Sequence, residues 1–221
     1  MSRQVVITGG NKGIGLELAR AFYTNKDEVT VLCRKSSAAL NKLDVNVIEN
    51  IDVSLEHNIV EARNQLANSK IDIFINNAGI FEHETIDNLN LDNINKQWQV
   101  NALAPLVLLK HFQTVLCTGA KIALVTSQMG SIGDNSSGGY YGYRMSKAAL
   151  NAAGKSLSID LRSKKISVAI LHPGFVRTGM TGGQGNIEPA ESAQGLIQCI
   201  ENLNLSNSGT FWNYRGEILP W

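Results

Sequence analysis

The stretch TGGNKGIG, residues 8–15, joins an apolar, β-branched run (QVVIT, residues 4–8) to a segment of helical character that begins at Gly13. A strand that runs through glycines into a helix leaves free backbone N–H groups at the positive end of the helix dipole, an arrangement that holds a pyrophosphate. The spacing G-x-G-x-x-G fails here, because Gly13 and Gly15 are followed by Leu18. A longer spacing, G-x-x-x-G-x-G, fits Gly9, Gly13 and Gly15, with glycine lifting steric limits where the chain turns and where phosphates approach. An ordinary glycine turn has the same composition. The strand-loop-helix context favours a dinucleotide site formed by Gly9, Asn11, Lys12, Gly13, Ile14 and Gly15.

The pattern of that first unit repeats along the chain. QVVIT, EVTVLCR, VNVIENI, IDIFIN, KIALVTS and ISVAILH are short, β-branched and almost continuously apolar, as strands are when a parallel sheet is covered on both faces. Between them lie segments with helical patterning: residues 13–23, 36–43, 55–68, 91–116, 140–163 and 189–203. Such alternation predicts right-handed β-α-β crossovers and an α/β fold, a doubly wound parallel sheet of about seven strands in a single domain over residues 1–221. The closing GTFWNYRGEILPW supplies a last strand and an apolar tail, with Trp212, Tyr214 and Trp221 read as core or subunit-interface residues rather than substrate contacts.

Bulk properties narrow the partner. The chain has 221 residues and a formal net charge of +1, with basic residues dispersed, so no electrostatic footprint for nucleic acid or an anionic membrane is present. Cys33, Cys117 and Cys199 are odd in number and match no metal-ligand spacing, which suggests reduced thiols, a cytoplasmic setting and no metal. His57, His83 and His111 show no ligand spacing either, and His172, before Pro173 at a strand end, reads as structural or as a cofactor-side contact. No run approaches ~18 apolar residues, and the N-terminus lacks a signal peptide's apolar segment. A small molecule is the expected ligand.

Two local patterns sharpen that expectation. The second strand ends in LCRKSS, where an acidic residue would bond a ribose 2′-hydroxyl and an arginine accommodates a 2′-phosphate. The chain offers Cys33 and then Arg34, with Lys12 as a second cation, which predicts NADP(H) over NAD(H); two solvated surface charges are the alternative. In YYGYRMSK, residues 140–147, the side chains four places after Tyr140, Tyr141 and Tyr143 are Arg144, Met145 and Lys147. Residues at i and i+4 share a helix face, so Tyr143 alone has an ammonium beside it, expected to lower the phenol's pKa and make it an acid/base group. The spacing by itself is weak and needs a cofactor site and a third partner.

Those partners come from further motifs: NNAG at 76–79, VNALAP at 100–105, Ser127 at the end of the fifth strand and HPGFVRTGM at 172–180. Together with TGGNKGIG and Tyr143-x-x-x-Lys147 they resemble the short-chain dehydrogenase/reductase family over nearly the whole chain. The stretch from Ser127 to Leu157 and the closing GEILPW look most like the subgroup of C-factor signalling proteins and sniffer-type carbonyl reductases. The resemblance implies that Tyr143 donates a proton in carbonyl reduction and that Lys147 lowers its pKa while holding the nicotinamide ribose. It implies that Ser127 bonds the substrate oxygen and that Asn101 completes a catalytic tetrad by supporting a water linked to Lys147. Asp52 and Val53 would meet the adenine, Asn77, Ala78 and Gly79 the adenosine side, and Pro173, Val176 and Thr178 the nicotinamide end. Homodimers or homotetramers are implied by the family's habit of pairing helices like those at 91–116 and 140–163.

Physical reasoning adds to this at Asn101. Pro105, four residues on in what reads as one long helix, lacks the N–H that would bond the carbonyl of residue 101, which leaves that carbonyl free for a water. Two departures from the family pattern stand out. The segment GDNSSGG, 133–139, lengthens the span between Ser127 and Tyr143 and predicts a polar rim loop; Ser131 rivals Ser127 but does not sit at the strand end. The lid segment, around 179–190, is short and glycine-rich, which suggests an open pocket. The expected activity is an NADPH-dependent reduction of a ketone, aldehyde or quinone-like carbonyl. The competing expectation is a non-enzymatic NADP-binding sensor or signalling protein of the C-factor type.

Overall fold

The computed structural model describes residues 2–221. Its centre is a parallel sheet of seven strands: β1 Gln4–Thr8, β2 Glu28–Leu32, β3 Asn46–Ile48, β4 Ile71–Asn76, β5 Leu116–Val125, β6 Ser167–His172 and β7 Phe211–Asn213. The helices are α1 Gly13–Thr24, α2 Glu56–Gln65, α3 Leu91–Trp98, α4 Ala104–Phe112, α5 Tyr141–Asp160 and α6 Pro189–Asn202. Strand order is β3-β2-β1-β4-β5-β6-β7, so the direction of winding reverses between β1 and β4, and a crevice opens there above the carboxyl ends of the strands.

Continuous apolar strands are explained by two cores. Val6, Phe74, Ile122 and Val168 pack beneath α2, α4 and α5, with the Phe74 and Phe112 rings 4.9 Å apart. Val5, Ile7, Ile73 and Ala169 face the opposite way, against Leu18, Phe22, Leu196 and Ile200 of α1 and α6. Alternate residues of each strand therefore serve opposite faces, and neither face meets water. On the outer side of α3 to α5, Leu91, Trp98, Leu106, Met145 and Ile159 remain exposed.

Two segments differ from the sequence-based expectation. Residues 36–43 form only a short 3₁₀ turn, Leu40–Lys42; so short a segment cannot repay helix nucleation, and the Ser37 hydroxyl accepts the Leu40 N–H instead. The single helix expected over 91–116 is broken. A π turn over Gln99–Leu103 separates α3 from α4, the answer of the chain to Pro105, which has no N–H for Asn101. The same segment ends at Phe112, and Leu116 begins β5, because the Val115 carbonyl is taken by the Ile71 N–H at 2.8 Å and draws the chain into the sheet.

Candidate active site

Six loops at the carboxyl ends of the strands converge on one cavity of about 990 Å³. The loop after β1 forms one end. Gly9 and Gly13 adopt φ of +69° and +54°, the left-handed region that glycine enters without strain. A Cβ on Gly15 would lie 2.4 Å from the Gly9 carbonyl oxygen and 2.5 Å from Asn77 Nδ2, so the loop closes this tightly only around glycine. Lys12 caps α1 in extended conformation with no side-chain hydrogen bond, and the first turn holds no acidic residue. The leading N–H groups of α1 are thus left to an external anion.

Thr8, which the sequence reasoning passed over, ties this loop to its neighbour. Its hydroxyl accepts the N–H groups of Asn77 and Ala78, both at 3.0 Å, while Asn77 Nδ2 donates to the carbonyls of Thr8 and Gly9. The signal was available: a hydroxyl residue ending the first strand, one sheet position from the asparagine pair. Asn11 Nδ2 donates to the Lys35 carbonyl at 2.9 Å and fixes the glycine loop against the end of β2.

Arg34 lines the cavity beyond β2, and among the described residues it has no ion-pair partner within 4.0 Å. Asp52 and Val53, after β3, line the same region. The Asp52 carboxyl is held below the ordinary carboxylate range: burial opposes this, but hydrogen bonds from the Ser54 hydroxyl and N–H and the Arg34 charge outweigh it. Asn77, Ala78 and Gly79 form the floor. A cradle of uncapped N–H groups, a tight glycine turn and a free guanidinium fits a dinucleotide carrying an additional phosphate.

The far end holds Tyr143 and Lys147, one turn apart on α5, with Pro173 and Thr178 from the loop after β6. Ser127 lies two residues beyond the end of β5, with its hydroxyl facing the phenol and accepting the Met129 N–H at 3.1 Å. The Ser131 hydroxyl accepts the Asp134 N–H at 3.1 Å and shapes the rim loop. Asn101 lies fully buried behind them. Its Oδ1 accepts the Ile80 N–H, and its Nδ2 donates to the Ile80 carbonyl and to Ser146 Oγ, which in turn donates to the Tyr143 carbonyl. Val176 is buried rather than lining the cavity, bridged to Ile187, with its carbonyl accepting the Thr181 hydroxyl. The chain turns back there, because the short lid segment closes on itself through Val176–Ile187 pairing and the Arg177–Glu188 ion pair at 2.6 Å.

The acidity of the phenol is a correction. The neighbouring ammonium was expected to lower it, yet burial pushes Tyr143 up to about 12, and only the Ser127 side chain facing it pulls the other way. Lys147 is itself buried, which brings its ammonium down to about 8. Its Nζ donates to the Val125 carbonyl at 2.9 Å and lies 5.8 Å from the centre of the phenol ring. At neutral pH the pair is therefore a charged amine and a neutral phenol. His172 is also driven down, to about 4, by burial, so it is a neutral group rather than an acid/base.

Lys147 carries a stability consequence. In the unfolded chain it keeps its proton to about pH 10.4, whereas in the fold it loses it from about 8. In that window the unfolded state binds more protons, so stability rises with pH. Denaturant unfolding of the dinucleotide-free protein from about pH 8 to 10 should show wild type gaining roughly 2–3 kcal/mol relative to Lys147→Met. Parallel profiles would show that Lys147 titrates as an exposed amine. Tyr143, raised in the fold, acts in the opposite sense and only above about pH 10.

Comparison with known proteins places the chain in a family. The model of the short chain dehydrogenase family matches residues 3–188. The chain is 35% identical over 223 residues to the 1-hydroxy-2-glutathionyl-2-methyl-3-butene dehydrogenase of Rhodococcus sp. (strain AD45), covering 98% of this chain and 99% of the relative. It is 39% identical over 154 residues to the C-signal of Myxococcus xanthus, covering 68% and 93% respectively. Its fold superposes on the NADPH-bound carbonyl reductase from chicken fatty liver with a TM-score of 0.91 at 29% identity, covering 100% of this chain and 99% of that one. With its seven-stranded parallel sheet and a family match over most of its length, the chain belongs to the short-chain dehydrogenase family of oxidoreductases.

Proposed function

We propose that this protein is an NADPH-dependent reductase of a ketone, aldehyde or quinone-like carbonyl. The observation that carries the reading is a single cavity with an uncapped glycine-loop helix and Arg34 at one end and Tyr143 and Lys147 at the other, with the Ser127 hydroxyl facing the phenol. Arg34 and Lys12 would hold the 2′-phosphate, the glycine loop the pyrophosphate, and Lys147, Pro173 and Thr178 the nicotinamide end. When bound, the reduced nicotinamide supplies the hydride. The Ser127 hydroxyl donates a hydrogen bond to the substrate oxygen as negative charge grows there, and Tyr143 gives that oxygen its proton. Burial keeps the phenol protonated at neutral pH, so it carries the proton that the reduced oxygen takes. The carbonyl of Asn101, which Pro105 cannot bond, would seat a water that returns a proton by way of Lys147.

Similarity to the C-signal supports a second reading, a dinucleotide-binding signalling protein without turnover. Loss of NADPH absorbance with a panel of activated carbonyls separates the two. Steady turnover supports the reductase, and tight NADPH binding without turnover on any member supports the sensor. Cofactor choice has its own test. Arg34→Ala should lower the preference for NADPH over NADH, measured as a ratio of dissociation constants, by roughly ten- to a hundredfold, as expected for one charge-assisted phosphate contact. An unchanged ratio removes Arg34 from the phosphate site.

A further inference from the structure

Helix α5, which carries Tyr143 and Lys147, begins without a cap of its own. The residue at its cap position, Tyr140, has φ of +53° and makes no side-chain capping bond, and a left-handed conformation is costly for a bulky residue. The missing acceptor comes from a distant part of the chain. Glu84, fully buried, accepts the Gly142 N–H on Oε2 at 3.3 Å across a separation of 58 residues, and its own carbonyl accepts the Tyr140 N–H at 2.8 Å. Gly142 is the second residue of α5, the position whose N–H an ordinary capping side chain would take.

A buried carboxylate is expensive without a partner, and Glu84 has no cation within 4.0 Å among the described residues. The helix N-terminus favours its charge, and Gln97, also fully buried, completes its bonding. Gln97 Nε2 donates to Glu84 Oε1 at 2.7 Å, while Gln97 Oε1 accepts the Glu82 N–H at 3.0 Å. There is little slack: a Cβ on Gly142 would lie 2.5 Å from Gln97 Nε2 and 3.0 Å from the Ile94 Cα. Aromatic contacts close the same unit, with Phe81 stacked on Tyr140 and edge-on to Tyr143 at 4.8 Å.

We infer that Glu84, oriented by Gln97, is a positioning residue that caps α5 from outside and holds its first turn, and with it Tyr143, against the loop at 80–84. This rests on Tyr143 as the proton donor, but the bonding pattern can be tested without turnover. Glu84→Gln must set donor against donor, at Gln97 Nε2 or at the Gly142 N–H. Gln97→Glu alone sets acceptor against acceptor. The exchange of both restores every pair: the new amide donates to the new carboxylate and accepts from Gly142, and the carboxylate accepts from Glu82.

Hydrogen–deuterium exchange over residues 138–146 reads the first turn of α5. Each single variant should speed exchange there about tenfold or more, the consequence of an unmatched buried group, and the double variant should return to within about twofold of wild type. In carbonyl reduction, kcat should fall about tenfold in Glu84→Gln and recover in the double variant, with the dissociation constant of NADPH unchanged throughout. Exchange at wild-type rates in Glu84→Gln overturns the inference. So does a double variant that folds and binds NADPH but stays fast-exchanging, which would mean that the location of the charge, not the pairing, matters. Should Glu84→Gln fail to fold, Gln97→Met, which removes the bridge at nearly constant volume, is read by the same criteria. If Tyr143→Phe proves fully active, the reductase mechanism fails while the exchange result still decides the cap.

Discussion

Tyr143→Phe should lower kcat for carbonyl reduction by roughly a hundred- to ten-thousandfold, the range lost when a general acid is removed, with NADPH affinity within about twofold of wild type. The substitution deletes one oxygen and keeps the ring. That ring is buried and packs edge-on against Phe81, so phenylalanine fills the same space and α5 keeps its first turn. The glycine loop and Arg34 lie at the opposite end of the cavity, which is why binding and turnover should separate. Stopped-flow measurement of NADPH oxidation, beside a fluorescence titration of NADPH, provides both quantities. Residual turnover within about tenfold of wild type would mean that the proton comes from elsewhere, Ser127 or water, and would end the assignment.

The second large effect is expected at the other end. Gly15→Ala places a methyl 2.4 Å from the Gly9 carbonyl oxygen and 3.0 Å from the Gly10 Cα, both backbone atoms that no rotamer change can move. The turn must open by about an ångström to restore ordinary contact, and the N–H groups it aims at the pyrophosphate move with it. NADPH binding should weaken by a hundredfold or more, several times the effect of Arg34→Ala, because every phosphate contact shifts rather than one. Thermal unfolding should drop by only several degrees, since Gly15 sits in the first turn of α1 and the two cores stay intact. Wild-type affinity in Gly15→Ala would show that the loop is an ordinary turn.

Residues whose surroundings are local in sequence were read closely. The glycine loop, the segment bearing Arg34 after β2 and the Tyr143–Lys147 spacing all depend on neighbours within a turn or a strand, and these residues line one cavity, with the Ser127 hydroxyl against the phenol. Residues whose partners come from other elements were read less well. The burial of Val176 depends on Ile187, to which the chain bends back. The helix expected over 91–116 ignored Ile71, whose N–H recruits the segment after Phe112 into the sheet. Thr8 and Glu84 escaped notice because their partners lie 69 and 58 residues away.

Sequence by itself determined the alternation of buried strands and helices, and with it a parallel, doubly wound sheet, since period and apolar continuity are local properties set by which faces must be dry. It also determined which chemical groups stand at the strand ends. The proton affinities of those groups were decided only in three dimensions. An ammonium one turn away argued for an acidic phenol, yet desolvation of both side chains won and raised Tyr143 to about 12 while lowering Lys147 to about 8. Burial is a sum over every element that packs around a group, and no spacing along the chain contains that sum.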